Sequence, residues 1–515
     1  MQVAGHKQRP PLHTLEKWFL TIVLLELTFL PWAFGTMHVW SQITALSLAL
    51  LGLLVALCPR FYDADHALHF GAGSGERGME GGRAHSNSGL RSQVSGFRLV
   101  PWPRLVRFPL FWLGLALLAY IGLQASNPSW EWERSSTQWW LRRVDDTPWL
   151  PTSIDTPFER FDIWRQFIIY ATVWLTACSL WIGLTRRKSL HILLGVLVAN
   201  ACLLGLVGIV HKGSGATRVL WLREFPDASS FASFVYRNHA GAYFGLMSFS
   251  ALGLAVWHFF EGRKRLARST PTALWLIAAL LLIFAVVLSL SRGAIISVVL
   301  FGFAAVIALA ILRYTSATQS TVPTIVPVLV ALGVLGTVGW MIRQIDFSEV
   351  YYRFEALAKL QANDPSVVGR QLARQSAVEM LSDHWQRGVG AGGFRYLFPE
   401  YIKGKPLIYE GGRVFWEHAH NDWLEIPIEL GLTGVLLLVA GAGWVILAWW
   451  RMGGWRHPVG LMIALGAGQV MANAVMDFPF QNPAILVTWW ALLIICLRWL
   501  ELDGGGASQS SVTRR

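Results

Sequence analysis

Long apolar runs joined by short polar connections most limit what this chain can fold into. A helix that crosses a bilayer needs roughly 20 apolar residues, and about twelve runs approach that length. They lie near 17–35, 38–57, 108–125, 163–184, 189–210, 239–260, 271–290, 293–312, 322–342, 425–450, 457–476 and 482–499. Only 14% of the residues are charged, against about 25% in soluble domains. The pattern therefore predicts an all-α polytopic membrane protein.

Basic residues in the short connections predict the orientation of the chain. One alternate set of connections carries most of them: Arg186, Arg187, Lys188, Arg263, Lys264, Arg265, Arg268, Arg313, Arg451 and Arg456. Short loops rich in lysine and arginine stay on the cytoplasmic side of a membrane. We expect this set to be cytoplasmic. Because the number of spans is even, both termini are expected on that side.

The predicted spans divide the chain into six parts. These are 1–58 with helices 1–2, 59–107, 108–342 with helices 3–9, 343–424, 425–500 with helices 10–12, and 501–515 as a cytoplasmic tail. The glycine-rich residues 59–107 cannot bury a core, so we predict a disordered cytoplasmic loop there. Outer segments lie near 126–162 and 211–238. Helix-like runs within 343–424 predict a folded, partly helical cap on the outer side.

The outer segment near 126–162 is rich in tryptophan. Its indole side chains are Trp130, Trp132, Trp139, Trp140 and Trp149. Tryptophan gathers at membrane interfaces, so interfacial anchoring is the favoured interpretation. Stacking against sugar rings is the alternative.

Charge and cysteine usage argue against two classes of function. The formal net charge of +12 is compatible with nucleic-acid binding, but much of the lysine and arginine lies in the orienting loops, so we expect no nucleic-acid partner. Four cysteines lie in or at the ends of apolar spans without metal-ligand spacing: Cys58, Cys178, Cys202 and Cys496. Neither a disulfide framework nor a zinc site is expected.

The stretch from Glu417 to Asp422 concentrates groups that can move protons. Histidine titrates near neutral pH, and a histidine with a carboxylate suits general acid–base work. The spacing of His418, His420 and Asp422 also resembles part of a metallohydrolase signature, but no further ligands are recognisable nearby. A purely structural role is a third interpretation, because acidic residues stabilise the start of a helix.

Three other polar sites interrupt the apolar pattern. Arg237-Asn238-His239 stands where an outer loop enters a helix, and Arg292 joins two apolar runs with almost no loop. An arginine at a membrane mouth either reaches lipid headgroups or grips phosphate with two donors. Asp477 lies in the last outer turn, where it either caps a helix or orients an arginine.

Residues 388–393 match the spacing of a dinucleotide-binding glycine motif. That motif requires a preceding strand and a following helix, and here it falls in an outer loop. We interpret it as a tight turn, with packing close to substrate as one option.

The predicted topology places the reactive residues on one side of the membrane. Six of them, from five separate stretches, map to the outer face: Arg237, His239, Arg292, Arg370, His420 and Asp477. Arginines with a histidine–carboxylate cluster at that face suit the transfer of a group from an anionic, lipid-linked diphosphate.

From about residue 200 to 500 the chain resembles the O-antigen ligase and polymerase superfamily of bacterial membrane glycosyltransferases. The resemblance rests on Arg237-Asn238-His239-Ala240, the turn at 288–293, Gly388-Val389-Gly390 with Gly393-Phe394, and His420-Asn421-Asp422-Trp423-Leu424. It implies a GT-C-like helical fold in the bacterial inner membrane. It also implies a polyprenyl (undecaprenyl) diphosphate glycan donor and inverting, metal-independent transfer to an acceptor hydroxyl at the periplasmic face, without a cofactor.

The same resemblance assigns expected roles to individual residues. His420 would be the general base, and Arg237 and Arg292 would grip the diphosphate. Asn421 and Asp422 would orient the imidazole. The remaining residues of the expected substrate site are Arg370, His239, Asp477 and His418.

Three functions remain open at this point. The first is a ligase that moves a finished glycan onto lipid A–core or a similar acceptor, and the second is a polymerase that joins lipid-linked repeat units. The third is a transporter of the inorganic-carbon type, which should show internal repeats and broken helices around a midplane site.

Overall fold

A computed structural model describes residues 12–62, 97–216, 218–224, 229–264, 266, 269–315, 365–409 and 415–512. Within these ranges the chain is mainly helical. The helices are α1 Thr14–Trp32, α2 Val39–Leu57, α3 Trp102–Val106, α4 Pro109–Ala125, α5 Ile163–Gly183, α6 Arg187–Gly213, α7 Arg237–Lys264, α8 Thr272–Leu288, α9 Arg292–Thr315, α10 Pro365–His384, α11 Phe394–Ile402, α12 Pro406–Tyr409, α13 Asp422–Arg451, α14 Pro458–Asn473 and α15 Pro483–Val512.

The helices coincide with the predicted spans wherever the structure describes them. Seven are long and apolar enough to cross a membrane: α2, α5, α6, α7, α9, α13 and α15. Three shorter apolar helices, α4, α8 and α14, accompany them. This architecture is that of a polytopic membrane protein. The predicted span at 322–342 and the first part of the predicted cap, 343–364, lie outside the described residues.

Two predicted boundaries need correction. Part of the predicted disordered loop is ordered, because strand β1 (Arg60–Tyr62) pairs antiparallel with β2 (Phe97–Leu99) and α3 follows. The rest of that loop, 63–96, lies outside the described residues. At the carboxyl end, α15 continues through the predicted tail to Val512, since no proline interrupts the run after Pro483.

Ion pairs gather at one end of the helix bundle. Arg60 is fully buried, lies 3.4 Å from Glu16, and donates to the carbonyl of Gly183 at 2.9 Å. At the same end the carboxylates of α15 are paired: Arg104 contacts Glu501 at 2.5 Å, and Arg187 contacts Asp503 at 2.7 Å. These residues belong to the connections predicted to be cytoplasmic.

The opposite end of the bundle carries a separate small core formed by the cap. Its buried side chains come from α10, α11 and the 415–422 segment, with Ile154 and Ile428. Strands β3 (Pro128–Arg134), β4 (Trp139–Arg143) and β5 (Ser153–Asp155) form a sheet in the order β4-β3-β5 that packs on this core. The cap is therefore a folded unit, with helical and strand parts.

The sheet corrects the anchoring interpretation for two of its tryptophans. Trp130 and Trp132 lie on one face of β3 and pack against the cap core instead of facing lipid. On the other face, Trp140 donates to Glu133 at 2.9 Å and Arg142 contacts Glu131 and Glu133. Residue alternation in strands explains the division, because neighbouring side chains point to opposite faces.

Helix α13 is broken where the cap meets the bundle. Gly431 has φ +62° and ψ −173°, and Pro427 lies one turn earlier. The freed carbonyl of Glu429 accepts hydrogen bonds from Gly390 at 3.0 Å and from Gln124 at 3.0 Å. The glycine turn at 388–393 thus packs against the chain's own backbone. A broken helix in a membrane persists only when its freed backbone groups find such partners.

Candidate active site

Two segments at the cap end are tied together by hydrogen bonds around Asp422. Its backbone N–H donates to the carbonyls of Ala474, at 3.0 Å, and Asp477, at 3.2 Å. Its carboxylate accepts the N–H of Phe480 at 2.9 Å. The start of α13 is therefore held against the turn that joins α14 to α15.

The ring of Phe478 connects the aromatic side chains of the site. Tyr236 stacks on it at a centroid distance of 5.2 Å, and His418 stacks at 4.4 Å. His239 and His420 each approach its edge at 4.9 Å. One phenylalanine thus positions three histidines that come from two separate stretches of sequence.

Two of these histidines have both ring nitrogens engaged. His239 donates to the carbonyl of Phe478 at 3.2 Å, and its other nitrogen lies 3.4 Å from the Asn482 amide. His418 accepts from Arg395 at 3.2 Å and donates to Glu425 at 2.6 Å. Arginine can only donate, so the proton of His418 lies on the nitrogen facing Glu425.

Burial reinforces this arrangement at His418. Desolvation, and then the charge of Arg395, lowers the pKa of His418 well below its ordinary value. A neutral imidazole whose free lone pair already accepts from Arg395 has no nitrogen left for a substrate proton. His239 and His418 accordingly position the site.

His420 differs from its two neighbours. Its Nδ1 is buried and, among the described residues, has no hydrogen-bond partner; the carboxylate of Asp477 lies 3.9 Å away. The residue has φ +50°, a left-handed conformation that is uncommon outside glycine and clusters at functional sites. Trp416 contacts the edge of its ring at 5.5 Å and Tyr236 at 6.3 Å.

The protonation states leave His420 free to accept a proton. Burial, and then the positive charge of Arg370, lowers the pKa of His420 to about 3, so the imidazole is unprotonated at neutral pH. Burial raises the pKa of Asp477 to about 6, while Arg370 and a hydrogen bond from Asn238 oppose the rise. At neutral pH the pair is a neutral imidazole beside a carboxylate, which is not an ion pair. The imidazole can accept a proton and Asp477 can then stabilise its charge.

The predicted arginines lie at the same end of the bundle. Arg237 is the first residue of α7 and Arg292 the first of α9, and both are half-buried. The two helix starts can approach closely because Gly241 has no side chain. A Cβ at that position would lie 2.7 Å from the Cβ of Ala294. A positive charge is unfavourable at a helix amino terminus, so helix stability does not account for an arginine at either position.

Arg370 reaches the site from the cap. It lies on α10, and its charge acts on His420, Tyr236 and Asp477. One turn further along, Arg374 donates to the carbonyl of Val475 at 3.3 Å, which docks α10 onto the α14–α15 turn.

Two residues expected to orient the imidazole have other described contacts. Asn421 caps α13 by accepting the N–H of Trp423 at 3.0 Å, and Asp422 accepts from Phe480. The carboxylate near His420 is that of Asp477, which we had expected to cap a helix or to orient an arginine. The separation of about 55 residues along the chain hid this pairing from the sequence.

Sequence reasoning missed several further residues of the site. Phe478 and Trp416 have no sequence signature beyond being aromatic. Asn473 is 3% exposed, and neither its amide oxygen nor its amide nitrogen has a partner among the described residues. A Cβ at Gly293 would lie 2.6 Å from that oxygen. A buried amide without partners beside Arg292 marks a position where a bound molecule can complete the hydrogen bonds.

The spacing of His418, His420 and Asp422 resembles part of a metal-binding signature. Within the ranges that the structure describes, no group of three or more histidine, cysteine, aspartate or glutamate side chains is arranged to hold a metal ion. Glu425, the carboxylate nearest to His418, is already hydrogen-bonded to that histidine and to the N–H of Ala419 at 2.7 Å.

One comparison with protein families gave a match. Residues 277–439 match the model of a family described as O-antigen ligase. Over this stretch, about a third of the chain, the protein is similar to the O-antigen ligase and polymerase superfamily. Comparison with curated proteins and with solved structures gave no significant match.

The O-antigen ligase match covers only part of the candidate site. It includes Arg292, Arg370 and His420, whereas Arg237 and Asp477 lie outside it. Asp477 directly precedes Phe478, whose ring contacts His418 and His420 in the matched part. Arg237 begins α7, which packs against α9 in the matched part. The resemblance inferred from sequence motifs is confirmed for the superfamily, while the individual residue roles stay predictions.

Proposed function

We propose that this protein is a glycosyltransferase of the O-antigen ligase type. It would move a glycan from undecaprenyl diphosphate to an acceptor hydroxyl, on lipid A–core or a similar molecule, at the periplasmic face of the bacterial inner membrane. The observation that carries the proposal is His420: of the three histidines around Phe478, it is the one with neither ring nitrogen in a hydrogen bond among the described residues, and its Nδ1 lies 3.9 Å from the Asp477 carboxylate.

The proposed reaction is a single displacement with inversion. The acceptor oxygen forms a bond to the anomeric carbon while the bond from that carbon to the diphosphate oxygen breaks. With Nδ1 directed toward Asp477, Nε2 of His420 takes the acceptor proton. A positioned base of this kind contributes roughly 10²- to 10⁴-fold to a rate.

The arginines supply the other half of the reaction. Breaking the glycosyl bond leaves negative charge on the diphosphate, and fixed donors aimed at developing charge often give the largest catalytic effect. Arg237 and Arg292 begin two adjacent helices, whose amino-terminal N–H groups also favour anions. Arg370, carried by the cap, completes the proposed grip.

A polymerase of the same superfamily would use the same chemistry. The two activities differ in the acceptor, which is a second lipid-linked repeat unit in a polymerase. Nothing in the geometry of His420 distinguishes them, so product analysis decides.

The transporter alternative has one supporting feature, the break in α13 at Gly431. Transporters use broken helices to bind ions on freed backbone carbonyls. Here the carbonyl of Leu430 accepts from Tyr120 at 2.6 Å, and the carbonyl of Ile428 accepts from Val389 at 2.9 Å. Because the protein's own donors occupy them, the break supports cap docking instead.

The first test compares two histidine variants in cells. His420→Ala should abolish attachment of surface glycan, a loss of at least about 10²-fold, while the protein still inserts and folds. His384→Ala is the matched control: it lies in the cap, bonds to Tyr401 at 3.1 Å, and should leave attachment unchanged. Normal surface glycan in a His420→Ala strain would contradict the catalytic assignment.

The glycans that accumulate in the same strain separate the two activities. If the protein is a ligase, the variant strain should accumulate long chains on the lipid carrier. Accumulation of single repeat units would identify a polymerase and overturn the ligase proposal.

A further inference from the structure

We propose that a row of three aromatic rings, Trp416, Phe415 and Trp139 (the aromatic row), binds the acceptor saccharide beyond the sugar that reacts. This inference rests on the proposed function. It concerns how much of the acceptor the protein recognises, and not how the bond is formed.

The row begins at the proposed base. Trp416 contacts the edge of the His420 ring at 5.5 Å, and its indole N–H donates to the carbonyl of Ile408 at 3.0 Å. Phe415 precedes it in the chain and contacts Trp139 edge-on at a centroid distance of 6.2 Å. Two adjacent residues of the chain, Phe415 and Trp416, therefore link strand β4 to the proposed base through ring contacts at either side.

The two outer rings are exposed where burial would be expected. Phe415 is 45% exposed and Trp139 is 36% exposed, although Trp139 contacts Tyr396 of the cap core and Phe415 directly precedes Trp416, which packs on that core. Large apolar side chains left exposed together mark a surface that binds something. Trp139 is also held in place, because its ring contacts Tyr396 at 6.3 Å.

The surroundings indicate a saccharide and not a lipid. Arg134 is the cross-strand partner of Trp139 and is exposed, and Glu417, next to Trp416, has a side chain that is 61% exposed. A sugar offers an apolar C–H face to a ring and hydroxyl groups to flanking charged side chains. The sheet that carries Trp139 also carries the Glu131, Glu133 and Arg142 ion pairs, which would be costly within a bilayer.

The position of the row favours the acceptor over the donor. His420 takes the acceptor proton in the proposed reaction, and Trp416 contacts His420 directly. Tyr236 and Asp477 approach the same imidazole at 6.3 Å and 3.9 Å, and the charge of Arg370, proposed to hold the donor diphosphate, acts on both of them. An acceptor whose hydroxyl reaches His420 can thus extend along Trp416, Phe415 and Trp139.

The test measures how the length of the acceptor affects KM. Purified full-length protein in lipid nanodiscs is given a fixed undecaprenyl-diphosphate-linked glycan and one of two acceptors. One acceptor is core oligosaccharide released by mild acid from the lipopolysaccharide of the host bacterium, and the other is the methyl glycoside of its terminal sugar. The second acceptor is too short to reach Trp139.

Loss of an outer ring should affect only the long acceptor. Trp139→Ala and Phe415→Ala should each raise KM for the oligosaccharide about tenfold, from the apolar area left uncovered. Both kcat and the KM for the methyl glycoside should stay unchanged. Trp139→Phe, which keeps a ring, should stay within about twofold of the wild type.

Trp149→Ala is the matched control for these variants. Trp149 is 80% exposed, belongs to the same tryptophan-rich segment, and lies outside the row. It should change neither KM. Thermal unfolding checks that each variant folds; should Trp139→Ala not fold, Phe415→Ala carries the test.

Two results would contradict the proposal that the aromatic row binds the acceptor saccharide. One is an equal rise of KM for both acceptors, which would make the rings structural supports of the cap. The other is an unchanged KM for the oligosaccharide in both alanine variants. If the wild type transfers glycan to neither acceptor, the proposed function fails first and the inference fails with it.

Discussion

At the scale of single residues, the site depends on where each imidazole finds its hydrogen bonds. His239 and His418 satisfy both nitrogens within the protein, while Nδ1 of His420 is buried and finds no partner in the part of the chain that the structure describes. An unsatisfied buried group and a left-handed backbone both cost free energy, of order 1–3 kcal/mol each. Such costs persist when function requires them, and here both fall on one residue.

The pKa of Asp477 makes a prediction about pH. Because burial raises that pKa to about 6, the carboxylate is ionised above pH 6 and becomes protonated below it. The pKa of His420 is lowered to about 3, so the imidazole is still neutral at that point. We expect kcat/KM to fall as the pH drops below about 6, through loss of the Asp477 charge.

Asp477→Asn tests this assignment. The variant should lose roughly 10²-fold in kcat/KM at neutral pH, because the imidazolium is no longer stabilised. Its remaining activity should be independent of pH between about 5 and 7. A variant that keeps the wild-type fall near pH 6 would show that another group titrates there.

At the scale of elements, the broken helix and the glycine turn form one unit. Gly388, Gly390 and Gly392 all have φ between +71° and +89°, which lets the turn approach the break in α13. Val389 and Gly390 donate to the carbonyls of Ile428 and Glu429. The unit joins the cap to the bundle within ten residues of His420, so its geometry sets where the base lies.

Gly388→Ala should weaken this junction. A Cβ there would lie 2.3 Å from the carbonyl oxygen of Glu429, and the backbone has φ +71°. The strain should lower the free energy of unfolding by roughly 1–3 kcal/mol. Thermal unfolding of the protein in detergent measures the effect.

Gly443→Ala serves as the control for that substitution. Gly443 lies in α13 beyond the break, and a Cβ there meets no atom within 4 Å. Alanine favours helix over glycine by about 1 kcal/mol, so this variant should be as stable as the wild type or more so. Equal destabilisation by both substitutions would argue against a special role for the 388–393 turn.

At the scale of the whole molecule, the two ends of the bundle are chemically different. One end carries ion pairs such as Arg60 with Glu16 and Arg187 with Asp503. The other carries the cap and the proposed active site. From the basic loops we predict that the first end is cytoplasmic and the second periplasmic.

Labelling with a membrane-impermeant maleimide tests the orientation. Trp149→Cys, on the exposed surface of the cap end, should be labelled in cells whose outer membrane has been made permeable. The native Cys58 is exposed and follows the carboxyl end of α2, at the end of the bundle predicted to be cytoplasmic. It should react only after the inner membrane is opened. The reverse pattern of labelling would contradict the predicted topology.

Much of the fold and part of the site could be predicted from local patterns. Runs of about 20 apolar residues identify helices because each crossing must satisfy its backbone hydrogen bonds internally. Arg237 and Arg292 could be proposed as site residues because they fall on the predicted outer side, whereas most basic residues of the short connections fall on the other. The ordered parts of 59–107 and the packing of Trp130 on the cap core could not be predicted, since both depend on strand pairing between residues far apart in the sequence.

The sequence by itself determined the class of protein, the helical spans that the structure describes and the resemblance to the superfamily, because these follow from composition and short motifs. Only the tertiary structure separated three similar histidines, placed Asp477 beside His420, and brought Trp139 to Phe415. Those distinctions depend on which nitrogen is satisfied and on which rings touch across long stretches of chain. Such contacts exist only once the cap has packed onto the bundle.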